Sequence, residues 1–265
     1  MKPSIPFNIP LIYINPEERI AEIYIECPPE CLGEVFNILS KYEIKLGSIA
    51  KVSEKICLTL FITNFEDRRK VEKELRKIGC VKIAMVFSDI LMEKGLGVDV
   101  FHYPIMIIDS HALIFNARFL IETYVNLRER LGASADVIFY HLGFHYGYYA
   151  AKELSERFNI KPGRLYDVKE IGEMFSRIAR VSGLGFFEID YINVVEERMG
   201  IRFFDSWTAR IYKELKGLSK EPVCHMVRGM IAGVATAITG KHHRATEVLC
   251  AAKGDPFCYF EVFGE

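Results

Sequence analysis

The pattern that most constrains the fold lies between residues 19 and 90, where strand-like and helix-like stretches alternate. The stretches "RIAEIYIE", "SIAKVS", "CLTLFITN" and "CVKIAMVFSDI" are rich in β-branched residues, as strands are. Two stretches with helical spacing, "PPECLGEVFNILSKYEI" and "FEDRRKVEKELRKIG", lie between them. The order is therefore βαββαβ, which predicts a ferredoxin-like unit within an α+β chain.

The stretch "PPECLGEVFNILSKYEIKLGSIA" resembles the ACT family of regulatory modules. Members of that family often bind amino acids, and they commonly pair through their sheets. The chain departs from the family pattern at Glu30, which stands where the family usually has a glycine that lets the backbone approach a ligand. The resemblance therefore implies a regulatory or dimerisation module, with pairing favoured over amino-acid binding.

Composition divides the chain near residue 97. The stretch "LMEKGLGVDVFHYPI" contains two glycines and a proline, which indicates a linker between domains at 1–96 and 97–265. The second domain has helical stretches at 137–158, 168–185 and 224–240, strands at 186–197 and 200–207, and a final hairpin. These elements predict a mixed domain of helices and antiparallel strands.

Charge and cysteine usage exclude several classes of function. Lysine plus arginine total 34 and aspartate plus glutamate total 35, so direct nucleic-acid binding through a basic surface is not expected. No apolar run reaches the ~20 residues of a membrane span, and the first residues do not form a secretory signal. We therefore expect a cytoplasmic protein, in which its seven cysteines favour metal binding over disulfides.

The tail "ATEVLCAAKGDPFCYFEVFGE" gathers a carboxylate and two thiols, from Glu247, Cys250 and Cys258, around a Gly-Asp-Pro turn. A hairpin with its tip at this turn places the two cysteines opposite each other, close enough to share a metal. Zinc prefers four such ligands. From the residues alone the fourth ligand is either Cys224 or its neighbour His225, and ordinary buried cysteines remain the alternative.

A regular strand would not bring these ligands together. Side chains alternate along a strand, so Glu247 and Cys250 would point to opposite faces. Both reach one ion only if the strand is irregular between them, and we expect a bulge or turn near Val248 or Leu249.

The stretch "PVCHMVRGMIAGVATAITG", followed by "ATEVLCAAKGDPFCYFEVF", resembles the 4-vinyl reductase domain family. This domain also occurs in the sensor modules of phenol- and xylene-responsive transcription activators, and it is distantly related to Bet-type subunits of the TRAPP tethering complex. In the phenol sensors the matching residues hold a structural zinc. The resemblance therefore implies zinc bound by Cys224, Glu247, Cys250 and Cys258, with Lys253, Arg228 or Arg244 available to offset the charge.

Small residues at four-residue spacing mark two helices, with Gly143 and Gly147 on one and Gly229 and Gly233 on the other. Such faces either allow close helix packing or leave room for a ligand. The sensor relatives enclose a small aromatic or hydrocarbon molecule in an apolar pocket, of the kind that carries a few orienting polar groups. The candidate pocket residues are His141, His145, Tyr148, Phe186, Phe203, Trp207, Gly229 and Gly233.

These observations favour a zinc-stabilised protein that binds or senses a small apolar or aromatic molecule and acts through an unknown downstream protein. Both resemblances imply a homodimer. One alternative is an enzyme of tetrapyrrole or aromatic metabolism, although the chain lacks a dinucleotide-binding fingerprint. The other is an assembly or tethering protein, for which fold analogy is the only support.

Overall fold

The computed structural model describes residues 11–52, 54–102, 105–107, 110–161, 165–193 and 195–265. The chain divides into two compact units, Met1–Leu113 and Ile114–Glu265. This division lies beyond the boundary near residue 97 that the composition suggests. Among the described residues, no helix is both long enough and apolar enough to cross a membrane.

The N-terminal unit has the ferredoxin-like order that the sequence predicts. Its elements are β1 Ile12–Ile14, β2 Ala21–Cys27, α1 Leu32–Leu39, β3 Ile44–Val52, β4 Lys55–Ile62, α2 Arg68–Leu75, β5 Ile83–Phe87, β6 Leu96–Val98, β7 Met106–Ile107 and β8 Ser110–His111. Four strands form one antiparallel sheet in the order β3-β4-β2-β5. The alternation of strand and helix patterns along the sequence therefore predicts this topology correctly.

One face of this sheet carries the apolar core of the N-terminal unit. Ile23 and Ile25 of β2 are fully buried with Val35 of α1 and Leu75 of α2. Fully burying side chains of this kind stabilises a fold by roughly 1.5–3 kcal/mol each. Two helices on one face explain why the βαββαβ pattern needs both amphipathic stretches.

The glycine-containing stretch near residue 97 belongs to the N-terminal unit. Strand β6 pairs with β1 in an antiparallel ribbon. A Cβ atom at Gly97 would lie 2.9 Å from the ring of Phe61, so a larger residue would clash at this position. The glycine at this position therefore serves a close contact within the unit, which composition cannot distinguish from a linker.

The C-terminal unit combines five helices with a four-stranded antiparallel sheet of order β11-β12-β10-β9 among the described residues. Its elements are α3 Ala117–Leu131, α4 Ala133–Arg157, α5 Leu165–Val181, β9 Phe186–Asn193, β10 Arg198–Phe204, α6 Trp207–Lys216, α7 His225–Thr239, β11 His243–Leu249 and β12 Cys258–Gly264. This is the mixed architecture expected from the sequence, with α3 and α6 as additional helices.

The glycine stripes bring helices α4 and α7 into backbone contact. A Cβ atom at Gly143 would lie 1.9 Å from the carbonyl oxygen of Met226, and one at Gly229 would lie 1.9 Å from that of Tyr140. Even an alanine would therefore force the helices apart. The small residues serve close packing here, which is the first of the two interpretations that their spacing allows.

A disulfide joins Cys31, just before α1, to Cys80, just before β5. This bond differs from the expectation that the cysteines favour metal binding. The two residues are 49 positions apart in sequence, and only the fold brings their Cα atoms to 5.9 Å, within the usual range for a disulfide. The remaining cysteines are free and buried.

Candidate metal centre and apolar cavity

Four side chains from three parts of the C-terminal unit meet in one buried cluster. Cys224 precedes α7, Glu247 lies in β11, Cys250 follows that strand, and Cys258 begins β12. One potential ligand atom from each residue lies within 4.8 Å of the others, and all four residues are buried. This is the set that the 4-vinyl reductase resemblance implies, and it could hold a metal ion.

The strand irregularity that the sequence predicts lies at Val248. Glu247 pairs with Phe260, whereas Leu249 pairs with Tyr259, so Val248 is an extra residue in β11. Val248 is 47% exposed, while Glu247 on one side is buried. The bulge reverses the alternation, and Cys250 therefore returns to the inner face beside Glu247.

The turn after the bulge is fixed by Asp255, a side chain that the sequence pattern does not single out. The backbone N–H of Cys250 donates to Asp255 Oδ2 at 2.8 Å. Gly254 has a φ of +105°, a conformation that disfavours other residues. The Gly-Asp pair therefore shapes the turn that carries Cys250 toward Cys258.

The cluster contains an unsatisfied polar atom beside its closely spaced thiols. The sulfurs of Cys224 and Cys258 are 3.6 Å apart, and Ser206 Oγ lies 3.4 Å from Cys224 Sγ. The backbone N–H of Cys224 donates to Glu247 Oε2 at 3.0 Å, and that of Ala251 donates to Cys258 Sγ at 3.4 Å. Glu247 Oε1 is buried, and within the described part of the chain it has no hydrogen-bond partner. An ion would provide that partner.

Burial sets the electrostatics of the cluster. It raises the pKa of Glu247 to about 8, and it raises the pKa of Cys224 well above its usual value. Hydrogen bonds from the thiols of Cys224 and Cys258 hold the pKa of Cys250 far below its usual value. The cluster therefore resists a second negative charge unless a cation is bound.

The basic residues expected to offset this charge lie elsewhere. Arg228 stacks over the ring of Tyr140 at 4.8 Å, and Arg244 forms an ion pair with Glu265. Lys253 is exposed. The cluster instead receives hydrogen bonds from backbone N–H groups and contacts the Ser206 hydroxyl, which favour thiolate and carboxylate without adding a full charge.

The donor set and spacing fit zinc. Two thiolate sulfurs bound to one tetrahedral zinc at ~2.3 Å lie roughly 3.8 Å apart, close to the separation of the Cys224 and Cys258 sulfurs. The alternative ligand His225 points away, because its Nε2 lies 3.4 Å from Asp136 Oδ1. Burial lowers the pKa of His225 to about 4, so the imidazole is neutral in this environment.

The structure does not gather the candidate pocket residues around one cavity. Phe203 and Trp207 are core residues, and Trp207 packs in a cluster with Tyr124 of α3. His141 and His145 are exposed on α4. Of the remaining candidates, Phe186 stacks on Phe204, Tyr148 stacks on Phe144, and Gly229 and Gly233 contact the α4 backbone.

A small apolar cavity of about 40 Å³ lies instead among α5, α7, β9 and β10. Its lining is Gly172, Phe175, Phe187, Ile189, Met199, Ile201, Met230, Ile231, Val234, Ala235 and Ile238. None of the eight candidate residues is among them. The sequence carries a signal for this wall, since Met230, Val234 and Ile238 repeat at the four-residue spacing of one α7 face, but core packing gives the same pattern.

Comparison with known proteins identifies the family resemblance of this region. Residues 209–263 match the 4-vinyl reductase domain family. The matched segment contains Cys224, Glu247, Cys250 and Cys258, and the whole α7 wall of the cavity.

Relatives of this region include sensory and uncharacterised proteins. The phenol-responsive sensory domain of the transcription activator PoxR, solved with phenol, has a TM-score of 0.52 at 19% identity, covering 67% of this chain and 84% of that chain. It shares the fold. An uncharacterized protein of Methanocaldococcus jannaschii is 28% identical over 144 residues, which are 54% of this chain and 74% of that protein. A vinyl-4-reductase family protein of the same species has a TM-score of 0.35 at 20% identity, covering 59% and 99%.

Proposed function

We propose that the C-terminal unit binds a small apolar molecule in the cavity described above, and that the chain acts as a cytoplasmic sensory protein. The observation that carries this proposal is the lining of the cavity, which consists of hydrocarbon and thioether side chains and glycine. Ligand sites are usually enclosed and mainly apolar. The fold shared with the phenol-responsive sensory domain of PoxR supports a sensory role.

The lining indicates which ligands fit. It offers no side-chain partner for a phenol hydroxyl, and burying a hydroxyl without a hydrogen bond costs roughly 1–3 kcal/mol. A hydrocarbon such as toluene therefore suits this cavity better than phenol. The cavity is smaller than the ~150 Å³ that admits benzene in an engineered core, so the flexible side chains of Met199 and Met230 would have to move.

Zinc would be held by Cys224, Glu247, Cys250 and Cys258, and when bound it would crosslink the start of α7 to the final hairpin. The unpartnered Glu247 Oε1 and the three buried thiols support this assignment. Four protein ligands leave no open position, so the metal is structural. Because α7 begins beside Cys224 and then lines the cavity, the metal would position one wall of the ligand site.

The chain would pass its signal to another protein, and we propose that it does so as a homodimer. Its formal net charge is −1, so it has no surplus of positive charge for binding DNA. A protein partner therefore suits the output better than direct contact with DNA.

Calorimetric titration of the full chain with toluene and with phenol tests the ligand proposal. We expect toluene to bind at least about tenfold more tightly, which corresponds to ~1.4 kcal/mol. Ala235→Val fills the cavity and should abolish binding, whereas Ala237→Val on the same helix lies outside the lining and should preserve it. Absence of toluene binding at its solubility limit, or equal binding by both variants, would refute the proposal.

A further inference from the structure

One face of helix α4 is apolar and exposed over more than three turns. The opposite face contacts α7 through Gly143 and Gly147. The exposed positions fall at the spacing of a single helical stripe. They are Val137, Ile138, His141, Leu142, His145, Tyr146 and Tyr149.

This α4 stripe is unusual for a surface helix. Ile138 and Leu142 are 50% and 51% exposed, and Tyr146 and Tyr149 are 54% and 63% exposed. No Asp, Glu, Lys or Arg occurs between residues 137 and 149. A contiguous apolar patch of this kind marks an interaction surface more often than plain solvent exposure.

We propose that the α4 stripe is the surface through which two copies of this chain pair, with their α4 helices antiparallel. The stripe has two parallel rows, one of Ile138, Leu142 and Tyr146 and one of His141, His145 and Tyr149. Rings of the second row already stack along the helix, with centroids 6.5 Å apart for His141 and His145 and 6.3 Å apart for His145 and Tyr149.

The two rows complement each other under a two-fold rotation. An axis at the level of Gly143 and Phe144 sets Ile138 opposite Tyr149 of the second copy and Leu142 opposite His145. Each aliphatic side chain then meets a ring, and Tyr146 meets His141. An isologous pairing requires such a self-complementary surface, which argues for a second copy over an unrelated protein.

The area is sufficient for a stable pair. Seven side chains that each leave roughly 100 Å² exposed would bury about 700 Å² per protomer, or about 1,400 Å² in total, within the usual range for specific interfaces. Lys152 and Glu153 follow the stripe and would form a polar rim.

This inference rests on the homodimer proposed above, and it is independent of the ligand and the metal. Sedimentation velocity of the full chain from about 1 to 100 μM measures the dimer directly, and Leu142→Lys tests the face. Leu142 lies near the axis and enters the interface twice, so we expect the dimer dissociation constant to rise at least ~100-fold. Val181→Lys, on an 85% exposed apolar position of α5, is the matched control.

A dimeric wild type, a monomeric Leu142→Lys and a dimeric Val181→Lys, all with the same circular dichroism, would support the proposal. A dimer unaffected by Leu142→Lys would show that the α4 stripe is the wrong face. A wild type that stays monomeric at about 100 μM would overturn the homodimer itself, and neither result would bear on toluene binding.

Discussion

Each unit of this protein buries one carboxyl group in nearly the same local setting. Glu22 is fully buried in the N-terminal unit, and Glu247 is 7% exposed in the C-terminal unit. In both, one oxygen accepts a backbone N–H, from Val100 at 3.3 Å and from Cys224 at 3.0 Å. In both, Oε1 has no partner among the described residues, and burial raises the pKa to about 8.

The neighbours of the two carboxyl groups differ. Glu247 faces three buried thiols. Glu22 lies beside Asp99, whose charge raises the pKa of Glu22 further. Asp99 in turn contacts His102 Nδ1 at 2.8 Å, and Thr59 Oγ1 contacts the same nitrogen at 3.0 Å.

Burial and an unpartnered oxygen therefore do not identify a metal ligand. The nature of the surrounding donors decides, because soft thiolates favour zinc whereas a hydroxyl and imidazole network can stabilise a protonated carboxyl by itself. We infer that Glu247 is a metal ligand and that Glu22 is a neutral structural group, and the following changes separate the two.

The largest effect is expected from Cys250→Ser, which removes one ligand from the C-terminal cluster. The variant should lose its zinc, and the free energy of unfolding of the C-terminal unit should fall by about 4 kcal/mol or more, because metal binding contributes directly to folding. Trp207 is the only tryptophan and is buried in this unit, so its fluorescence reports the transition.

Cys57→Ser is the matched control for that experiment. Cys57 is also a free and buried cysteine, but it lies in β4 of the N-terminal unit, where it accepts a hydrogen bond from Tyr24. The control should retain about one zinc per chain by elemental analysis. A wild type that holds almost no zinc after purification and loses no stability in chelator would contradict the structural metal.

A smaller effect is expected from changing the two carboxyl groups themselves. Glu247→Gln replaces an anionic ligand by a neutral amide, and zinc affinity should fall at least ~100-fold, or about 2.7 kcal/mol. Competition with a chromogenic chelator measures this loss. Glu22→Gln should leave zinc affinity unchanged, and equal effects of both substitutions would break the distinction between the two sites.

The features that depend on local pattern are predictable from the sequence. The βαββαβ order follows from the periodicity of residues 19–90, and the bulge at Val248 follows from the need to bring Glu247 and Cys250 to one ion. Helix α6 is not predicted, because "GIRFFDSW" has the pattern of one strand, whereas the chain turns at Asp205, which has a φ of +50°.

Features that depend on tertiary contact are not predictable in the same way. The pairing of Cys31 with Cys80 joins two loops that only the folded sheet brings together. The cavity is lined by residues such as Ile201 and Val234, which would look the same in a solid core. Polar and aromatic residues such as His141 and Trp207 attract attention in the sequence, yet the first lies on the surface and the second packs in the core.

The smallest effect is the pH dependence that Glu22 confers on the N-terminal unit. A carboxyl whose pKa rises from 4.5 to about 8 on folding contributes stability that is fully present below pH 4.5 and is lost as the pH rises through 8. Between about pH 6 and pH 8 the loss should be about 2 kcal/mol. Glu22→Gln is neutral at every pH, so it should remove this dependence and make the unit relatively more stable as the pH rises.

Hydrogen exchange of peptides from β2 and β4, compared between wild type and Glu22→Gln at the same pH, measures this effect without interference from the C-terminal unit. The protection of the variant relative to the wild type should rise by roughly tenfold or more between about pH 6 and pH 8. If this ratio stays constant, Glu22 is already ionised in the folded unit at the lower pH. It would then require a compensating cation, and the two carboxyl groups would be alike after all.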